Sequence, residues 1–167
     1  MNFLITGHTK GIGKAIYDRF GGIGLSRSNG FDISINHIGP YLSNIDVFVN
    51  NAFDDNNPWS QTKLLYESLS VKKIICIGSN STDQTKMWPH PYQSAKLALE
   101  NSCNQLFYQG YNITLIKLGW VNTDKAKNAK PEEKKIDTNY VADLVDWILH
   151  QKYRIKELTV VPNEFFC

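Results

Sequence analysis

Tyr92 and Lys96 are the two side chains whose spacing most directly suggests proton chemistry. They stand four residues apart in YQSAKLALENSCNQLF, a segment with helical apolar spacing, so both side chains fall on one helix face. A phenol beside an ammonium group can exchange a proton with a bound oxygen, because positive charge favours the phenolate. With 8 tyrosines among 167 residues such a pair also arises by chance, so its neighbours must support it.

Ser79 is the first of these neighbours. It directly follows the apolar run KIICIG and precedes Tyr92 in the chain. The carboxyl ends of parallel strands form the edge where open α/β sheets bind ligands, so we expect the Ser79 hydroxyl at that edge.

A glycine-rich turn, GHTKGIG, lies between the strand-like NFLIT and the helix-like KAIYDRF. Glycines let such a turn close tightly, and they let backbone N–H groups and the positive end of a helix dipole approach a phosphate. The ordinary alternative is a tight strand-to-helix turn without a ligand. The segment predicts a nucleotide phosphate site.

The second strand-like run ends in GLSRS, which places Ser26 and Arg27 where an adenosine ribose would lie in a fold of this type. An arginine there can hold a 2′-phosphate, whereas an acid would accept hydrogen bonds from a free hydroxyl. Lys10 in the turn could bind the same phosphate, although both cations could equally be ordinary surface charges. The pattern favours NADP(H), and NAD remains open.

The elements that must position these residues alternate along the chain. Short apolar runs predict strands, and the segments between them have helical spacing. This alternation predicts an α/β fold with a doubly wound, mostly parallel sheet, formed by residues 1–167 as a single domain. The predicted strands are NFLIT, GIGLS, DVFVN, KIICIG, ITLIKL and ELTVV, and the predicted helices are 14–20, a stretch before Ile45, 60–69, 92–108 and 140–150.

The polar segment 123–137 has no apolar periodicity, so we expect a solvated loop, with a mobile lid over a substrate as the alternative. Trp88 and His90 would either border the substrate or pack to fix their loop. Asp54 and Asp55 suggest a turn or cap more than a cation site.

Bulk properties exclude several classes of partner. A net charge of +2 and scattered lysines argue against nucleic acid, and no apolar run is long enough to cross a membrane. Cys76, Cys103 and Cys167 lack metal-site spacing, so we expect reduced thiols and no metal. The first apolar stretch is too short for a secretory signal, which predicts a cytoplasmic protein.

These motifs occur in the order seen in the short-chain dehydrogenase/reductase family. TGxxxGxG from Thr6 to Gly13, NNA at 50–52, Ser79, YxxxK and LGWVNT at 118–123 carry the resemblance. The chain resembles an unusually short member of that family. The resemblance implies a Rossmann-like fold and an NADP-dependent oxidoreductase that reduces an aldehyde or ketone, or oxidises the alcohol, as a small-molecule substrate.

The resemblance also implies residue roles. Tyr92 would donate the proton, Lys96 would hold the nicotinamide ribose and lower the tyrosine pKa, and Ser79 would bond the substrate oxygen. The implied cofactor-binding residues are Thr6, Gly7, Thr9, Lys10, Gly11, Ile12, Gly13, Ser26, Arg27, Asp32, Asn50, Ala52, Gly119, Val121 and Thr123.

The chain departs from the family pattern in several places. Phe53 replaces the glycine of NNAG, and Leu118 replaces the proline before Gly119. Between Arg27 and Asp32 there is no room for a crossover helix, so the family's third strand is expected to be absent. The helix between Ala52 and Ser79 is expected to be short, without the Asn that normally supports the lysine through water. A homodimer through the helix beginning at Tyr92 remains open.

Two other functions compete with the reductase. The missing length and the missing Asn are compatible with a protein of the same fold that binds NADP as a sensor, without turnover. A sugar-nucleotide epimerase or dehydratase is the third alternative. Those enzymes usually have a TGxxGxxG turn and a larger second lobe, and this chain has neither.

Overall fold

The computed structural model describes residues 1–84 and 90–163. Six strands form one sheet in the order β2-β1-β3-β4-β5-β6, and all neighbouring strands are parallel. Their carboxyl ends therefore share one edge, which confirms the predicted doubly wound α/β sheet. The strands are β1 Phe3–Thr6, β2 Ile23–Leu25, β3 Val47–Asn50, β4 Lys73–Ser79, β5 Ile113–Leu118 and β6 Glu157–Val160.

Helices cover both faces of the sheet, because successive strand residues point to opposite sides. One face buries residues such as Ile5 and Val49 against α1 and α5, and the other buries residues such as Leu4 and Phe48 against α2 and α3. The helices are α1 Gly11–Phe20, α2 Ser60–Glu67, α3 Pro91–Tyr108, α4 Asp124–Ala129 and α5 Thr138–Leu149.

The expected loss of the third family strand is confirmed. β2 pairs only with β1 among the described residues, so it is an edge strand, and the chain from Ser26 to Asp46 returns to the sheet without another strand.

The prediction of a helix before Ile45 is wrong. The structure has only a three-residue 3-10 turn there, Gly39–Tyr41, because Pro40 lacks a backbone donor and restricts the residue before it. Phe31, Ile33 and Ile38, which precede Ile45, pack into the core from irregular backbone.

Segment 123–137 is more ordered than predicted. It contains α4, whose first turn is capped by the Thr123 hydroxyl accepting a hydrogen bond from the Ala126 N–H. Buried Ala126 and a bridge between Val121 and Ile136 attach the segment to the domain core.

Cys76 and Cys103 are buried free thiols, as expected, whereas Cys167 and Trp88 lie outside the described residues. Among the residues that the structure describes, no helix is long and apolar enough to cross a membrane.

Candidate active site

Ser79 and Tyr92 meet at the carboxyl edge of the sheet. Ser79 is the last residue of β4, and Tyr92 lies in the first turn of α3. The helix begins there because Pro91 fits its first turn and the His90 ring nitrogen accepts a hydrogen bond from the Gln93 N–H. The Ser79 hydroxyl donates to the Ser81 hydroxyl at 3.0 Å and lies near enough to the Tyr92 phenol to act on its pKa, so the structure brings together two of the three predicted catalytic groups.

The pKa of Tyr92 is raised, not lowered as the sequence predicted. Burial is the main cause, and the nearby Ser79 hydroxyl and the charge of Lys125 oppose it only in part. The Lys96 Nζ lies 5.6 Å from the centre of the tyrosine ring, but the cation that lowers the pKa of Tyr92 is Lys125. Tyr92 is therefore protonated at neutral pH, which is the form that a proton donor requires.

Lys96 is only 4% exposed and has no acidic partner in the described part of the chain. Its Nζ donates hydrogen bonds to Gln61 Oε1 at 2.7 Å and to the Ile77 carbonyl at 2.9 Å. The Phe53 ring centre lies 5.1 Å away, so the residue that replaces the family's glycine packs against this ammonium group. Burial lowers the pKa of Lys96 to about 7.

Gln61 is a site residue that the sequence analysis missed. Besides accepting from Lys96, its amide donates to the Asn50 carbonyl at 2.7 Å and to the Ile77 carbonyl at 3.0 Å. Asn50 returns a bond from its own amide to the Gln61 carbonyl at 2.8 Å. The available signal was the position of Gln61 on the buried stripe of α2, where Leu64 and Leu65 follow it at helical spacing.

The glycine turn leaves the amino end of α1 open to an anion. Lys10 at the N-cap makes no side-chain capping bond, and the first turn contains no acid. Gly7 and Gly11 have φ angles of +73° and +56°, and a Cβ at Gly13 would come within 2.2 Å of the Gly7 carbonyl oxygen. These residues fit the pyrophosphate of a dinucleotide.

Thr6 connects this turn to the NNA segment. Its buried hydroxyl accepts hydrogen bonds from the N–H groups of Asn51 and Ala52, both at 3.0 Å. The Asn51 amide donates to the Thr6 carbonyl at 3.0 Å. Asn51, which was not predicted, holds the turn, while the predicted Asn50 is buried and supports Gln61.

The remaining predicted cofactor residues lie at the same edge. Thr9 and Lys10 are exposed, and Ile12 packs partly against the core. Gly119 continues the pairing of β5 by donating to the Val160 carbonyl, and a Cβ at Gly11 would contact Thr123 at 3.0 Å. The structure thus brings the glycine turn and the LGWVNT segment together.

Arg27 is not a free cation. Its Nε donates to Asp32 and its Nη2 to Asp54, both at 2.9 Å. Asp32 also accepts from the Ser34 N–H and hydroxyl, and Asp54 accepts from the Asn56 N–H in the expected turn. Ser26 turns away from these acids, since its N–H donates to the Asn29 side chain.

Lys125 and Asp55 form an exposed ion pair at 2.7 Å, which joins α4 to the segment after Phe53. Both charges act on the pKa of Tyr92, in opposite directions. Segment 123–137 therefore borders the candidate active site, as a lid over a substrate would. In this structure the segment is attached to the rest of the protein by the Lys125–Asp55 ion pair and by the bridge between Val121 and Ile136.

Comparisons with known proteins extend this description. No protein-family model matches the chain, and no curated protein sequence matches it. Among solved structures, a short-chain dehydrogenase from Streptomyces avermitilis aligns with a TM-score of 0.74 at 15% identity, over 95% of this chain and 86% of that one.

Two further structures are similar in the same way. A 3-alpha-hydroxysteroid dehydrogenase from Pseudomonas in complex with NADH has a TM-score of 0.74 at 14% identity, over 96% of this chain and 95% of that one. A short-chain dehydrogenase from Sphingobium yanoikuyae with NADPH has a TM-score of 0.71 at 15% identity, covering 98% and 88%. With its ordered motifs and its parallel sheet, this chain has the fold of the short-chain dehydrogenases.

Proposed function

We propose that the protein is an NADP(H)-dependent oxidoreductase that reduces an aldehyde or ketone, or oxidises the corresponding alcohol. The observation that carries the proposal is the proximity of Ser79 at the end of β4 to Tyr92 in the first turn of α3, at the carboxyl edge of the sheet and one helical turn from buried Lys96. Similar structures contain NADP+, NADH or NADPH, which supports a nicotinamide cofactor.

In this proposal Tyr92 donates its phenolic proton to the carbonyl oxygen of the substrate, and Ser79 hydrogen-bonds that oxygen as negative charge develops. The raised pKa of Tyr92 keeps the proton in place until it is needed. Lys125, whose charge lowers the pKa of Tyr92, would stabilise the phenolate that remains, and the Lys96 Nζ lies 5.6 Å from the ring centre. The nicotinamide, when bound, supplies the hydride.

The cofactor would lie along the carboxyl edge. The open amino end of α1 would hold the pyrophosphate, and Arg27 and Lys10 would hold the 2′-phosphate. Because Arg27 already pairs with Asp32 through Nε and with Asp54 through Nη2, a 2′-phosphate would bind its Nη1 or displace one of these carboxylates.

The test begins with a calorimetric titration of the protein with NADPH and then NADH, followed by a panel of aldehydes and ketones monitored by NADPH absorbance. We expect Tyr92→Phe to lower kcat by about 10²- to 10⁴-fold, the usual contribution of a general acid, with NADPH affinity unchanged. Tyr108→Phe, at the exposed opposite end of α3, is the matched control. Full turnover by Tyr92→Phe would disprove the proton donor.

A second candidate function is NADP binding without turnover. The observation that favours it is that Lys96 donates to Gln61 and Ile77, within the core. Tight NADPH binding with no reduction of any carbonyl in the panel would select this alternative.

We also propose that the protein is cytoplasmic, that it forms a single domain and that it dimerises through α3.

A further inference from the structure

A cavity of about 420 Å³ lies at the amino ends of the strands, at the edge opposite the candidate active site. The starts of β3 and β4, the end of α5 and the segment after it form its walls. Four cations and a single acid line it. They are Lys72, Lys73, Lys152, Arg154 and Asp46.

Lys73 is the central group of this cavity. It is 9% exposed, and its Nζ donates to Asn112 Oδ1 at 3.0 Å and to Thr114 Oγ1 at 2.7 Å. Both acceptors are neutral, and among the described residues no carboxylate lies within ion-pair distance. Burial and the charge of Arg154 lower the pKa of Lys73 to about 8. A buried ammonium without a counter-charge is unfavourable, and an anion would supply one.

Arg154 is held beside Lys73. Its guanidinium stacks over the Phe107 ring at 4.5 Å, and its Nη1 donates to the carbonyls of Phe107 and Tyr111, both at 3.2 Å. In the described part of the protein its Nε and Nη2 have no hydrogen-bond partner. A fixed guanidinium with unused donors is suited to oxyanions.

The single acid does not neutralise this pair. Asp46 accepts from Lys72 at 2.7 Å and from the Asn2 N–H at 2.9 Å, so its carboxylate is occupied at the rim. The groups that face Lys73 from its surroundings are thus two neutral acceptors and a second cation, and the cavity carries excess positive charge.

We propose that this cavity binds the phosphoryl group of a small metabolite. A guanidinium and an ammonium together match the geometry and charge of a phosphate dianion. The cavity volume lies in the range of small-ligand sites, so there is room for an organic body besides the phosphate. The site is separate from the proposed cofactor turn and does not depend on the proposed reaction.

The first test is calorimetric titration with glycerol 3-phosphate and with inorganic phosphate at constant ionic strength. Lys73→Met and Arg154→Gln should each weaken binding by about tenfold or more, because a charge-assisted hydrogen bond is lost. Lys127→Met removes one exposed charge from α4 at the opposite edge and should leave the affinity unchanged. Tighter binding of the ester supports a phosphorylated metabolite, and equal affinities support free phosphate.

The second test uses sulfate, a dianion that does not titrate near neutral pH. Anion binding should raise the pKa of Lys73, so binding at pH 8 should take up protons, as measured by calorimetry in buffers of different ionisation enthalpy. Lys73→Met should abolish this uptake. No binding to the wild-type protein, or equal losses in Lys73→Met and Lys127→Met, would overturn the proposal. Amide NMR shifts confined to residues 7–13 would do the same, since they would place the anion at the cofactor turn.

Discussion

Two lysines are almost equally buried in this protein, yet their surroundings are opposite. Lys96 on α3 is 4% exposed and Lys117 on β5 is 2% exposed. Lys117 pairs with Asp83, with Glu100 at 3.2 Å and with Glu157 at 3.8 Å. Burial alone would lower the pKa of Lys117, but the hydrogen bonds to Asp83 and Glu100 outweigh it and raise that pKa. Lys96 has only neutral acceptors, and its pKa falls to about 7.

The difference separates cations that hold the fold from cations that remain available to ligands. Lys117 connects β5, β6 and α3 through carboxylates that compensate its charge. Lys96 and Lys73 are uncompensated, and each lies at an edge of the sheet where we propose that a ligand binds. Arg27 is intermediate, because its charge is compensated by two carboxylates but its side chain is exposed to a ligand.

The largest expected effect comes from Lys96→Met. Turnover should fall by about 10²-fold or more, because the candidate active site would lose the ammonium group that lies 5.6 Å from the Tyr92 ring centre. The free energy of unfolding at pH 7 should be unchanged or higher, since a poorly compensated buried charge disappears. Steady-state kinetics and urea denaturation measure the two quantities. A large loss of stability without loss of turnover would reverse the distinction between the two lysines.

The pH dependence of stability tests the same lysine without assuming any reaction. Because the pKa of Lys96 is about 7 when folded and normally 10.5, the unfolded chain binds more protons between these values. Stability contributed by this group should therefore rise with pH, by about 2 kcal/mol from pH 7 to 9. The measurement is the difference between wild-type protein and Lys96→Met, which cancels the similar contribution of Lys73. Identical pH profiles would show that the pKa is not depressed.

Lys117→Met should destabilise the protein by about 2 kcal/mol, because Asp83, Glu100 and Glu157 would face one another without a cation. We place the value below that of a fully buried ion pair, since the acids are partly exposed and screened by solvent. Turnover per folded molecule should not change. Urea denaturation with active-site titration separates these outcomes, and stability equal to the wild type would remove the structural function assigned to this cluster.

Gln61 should act as a positioning residue for Lys96. Gln61→Leu would remove one of the two acceptors of the ammonium group and lower its pKa further, with a loss of about tenfold in kcat/KM. Gln61→Glu would add a negative charge and raise that pKa. The pH profile of kcat/KM should therefore shift in opposite directions in the two variants. Equal losses of kcat/KM in the two variants, without a shift of the pH profile, would mean that Gln61 only packs in the core and does not act on the pKa of Lys96.

The smallest effect is expected at Arg27. Asp54→Asn would release one of its two carboxylate partners and should tighten NADPH about two- to fivefold, since Arg27 is itself exposed and solvent screens its pair with the buried Asp54. NADH affinity should stay constant, because it has no 2′-phosphate. Arg27→Ala should weaken NADPH much more than NADH, and parallel changes for both cofactors would remove Arg27 from 2′-phosphate recognition.

The sequence predicted the parallel sheet because each strand is a short apolar run, and the resemblance to the short-chain dehydrogenases implied that Ser79 and Tyr92 lie together. Prediction from the sequence failed where long-range packing decides. The Gln61–Lys96 bond joins residues 35 positions apart, so no local pattern shows it. The ion pair between Arg27 and Asp54 also joins residues that are far apart in the chain. Around Ile38 the apolar side chains fill the core as those of a helix would, but the backbone is irregular, so the apolar pattern led to a wrong prediction.

The position of β2 at the edge of the sheet has a consequence for solubility. An edge strand presents unpaired backbone groups that can recruit a strand from another chain. Here that edge is short, since β2 has three residues and follows Gly21 and Gly22, whose φ angles of +66° and +102° break the extended conformation. Loss of the outer strand therefore leaves little backbone on which aggregation could begin, and β2 cannot simply extend through Gly22, where a Cβ would come within 2.4 Å of the Phe3 carbonyl oxygen.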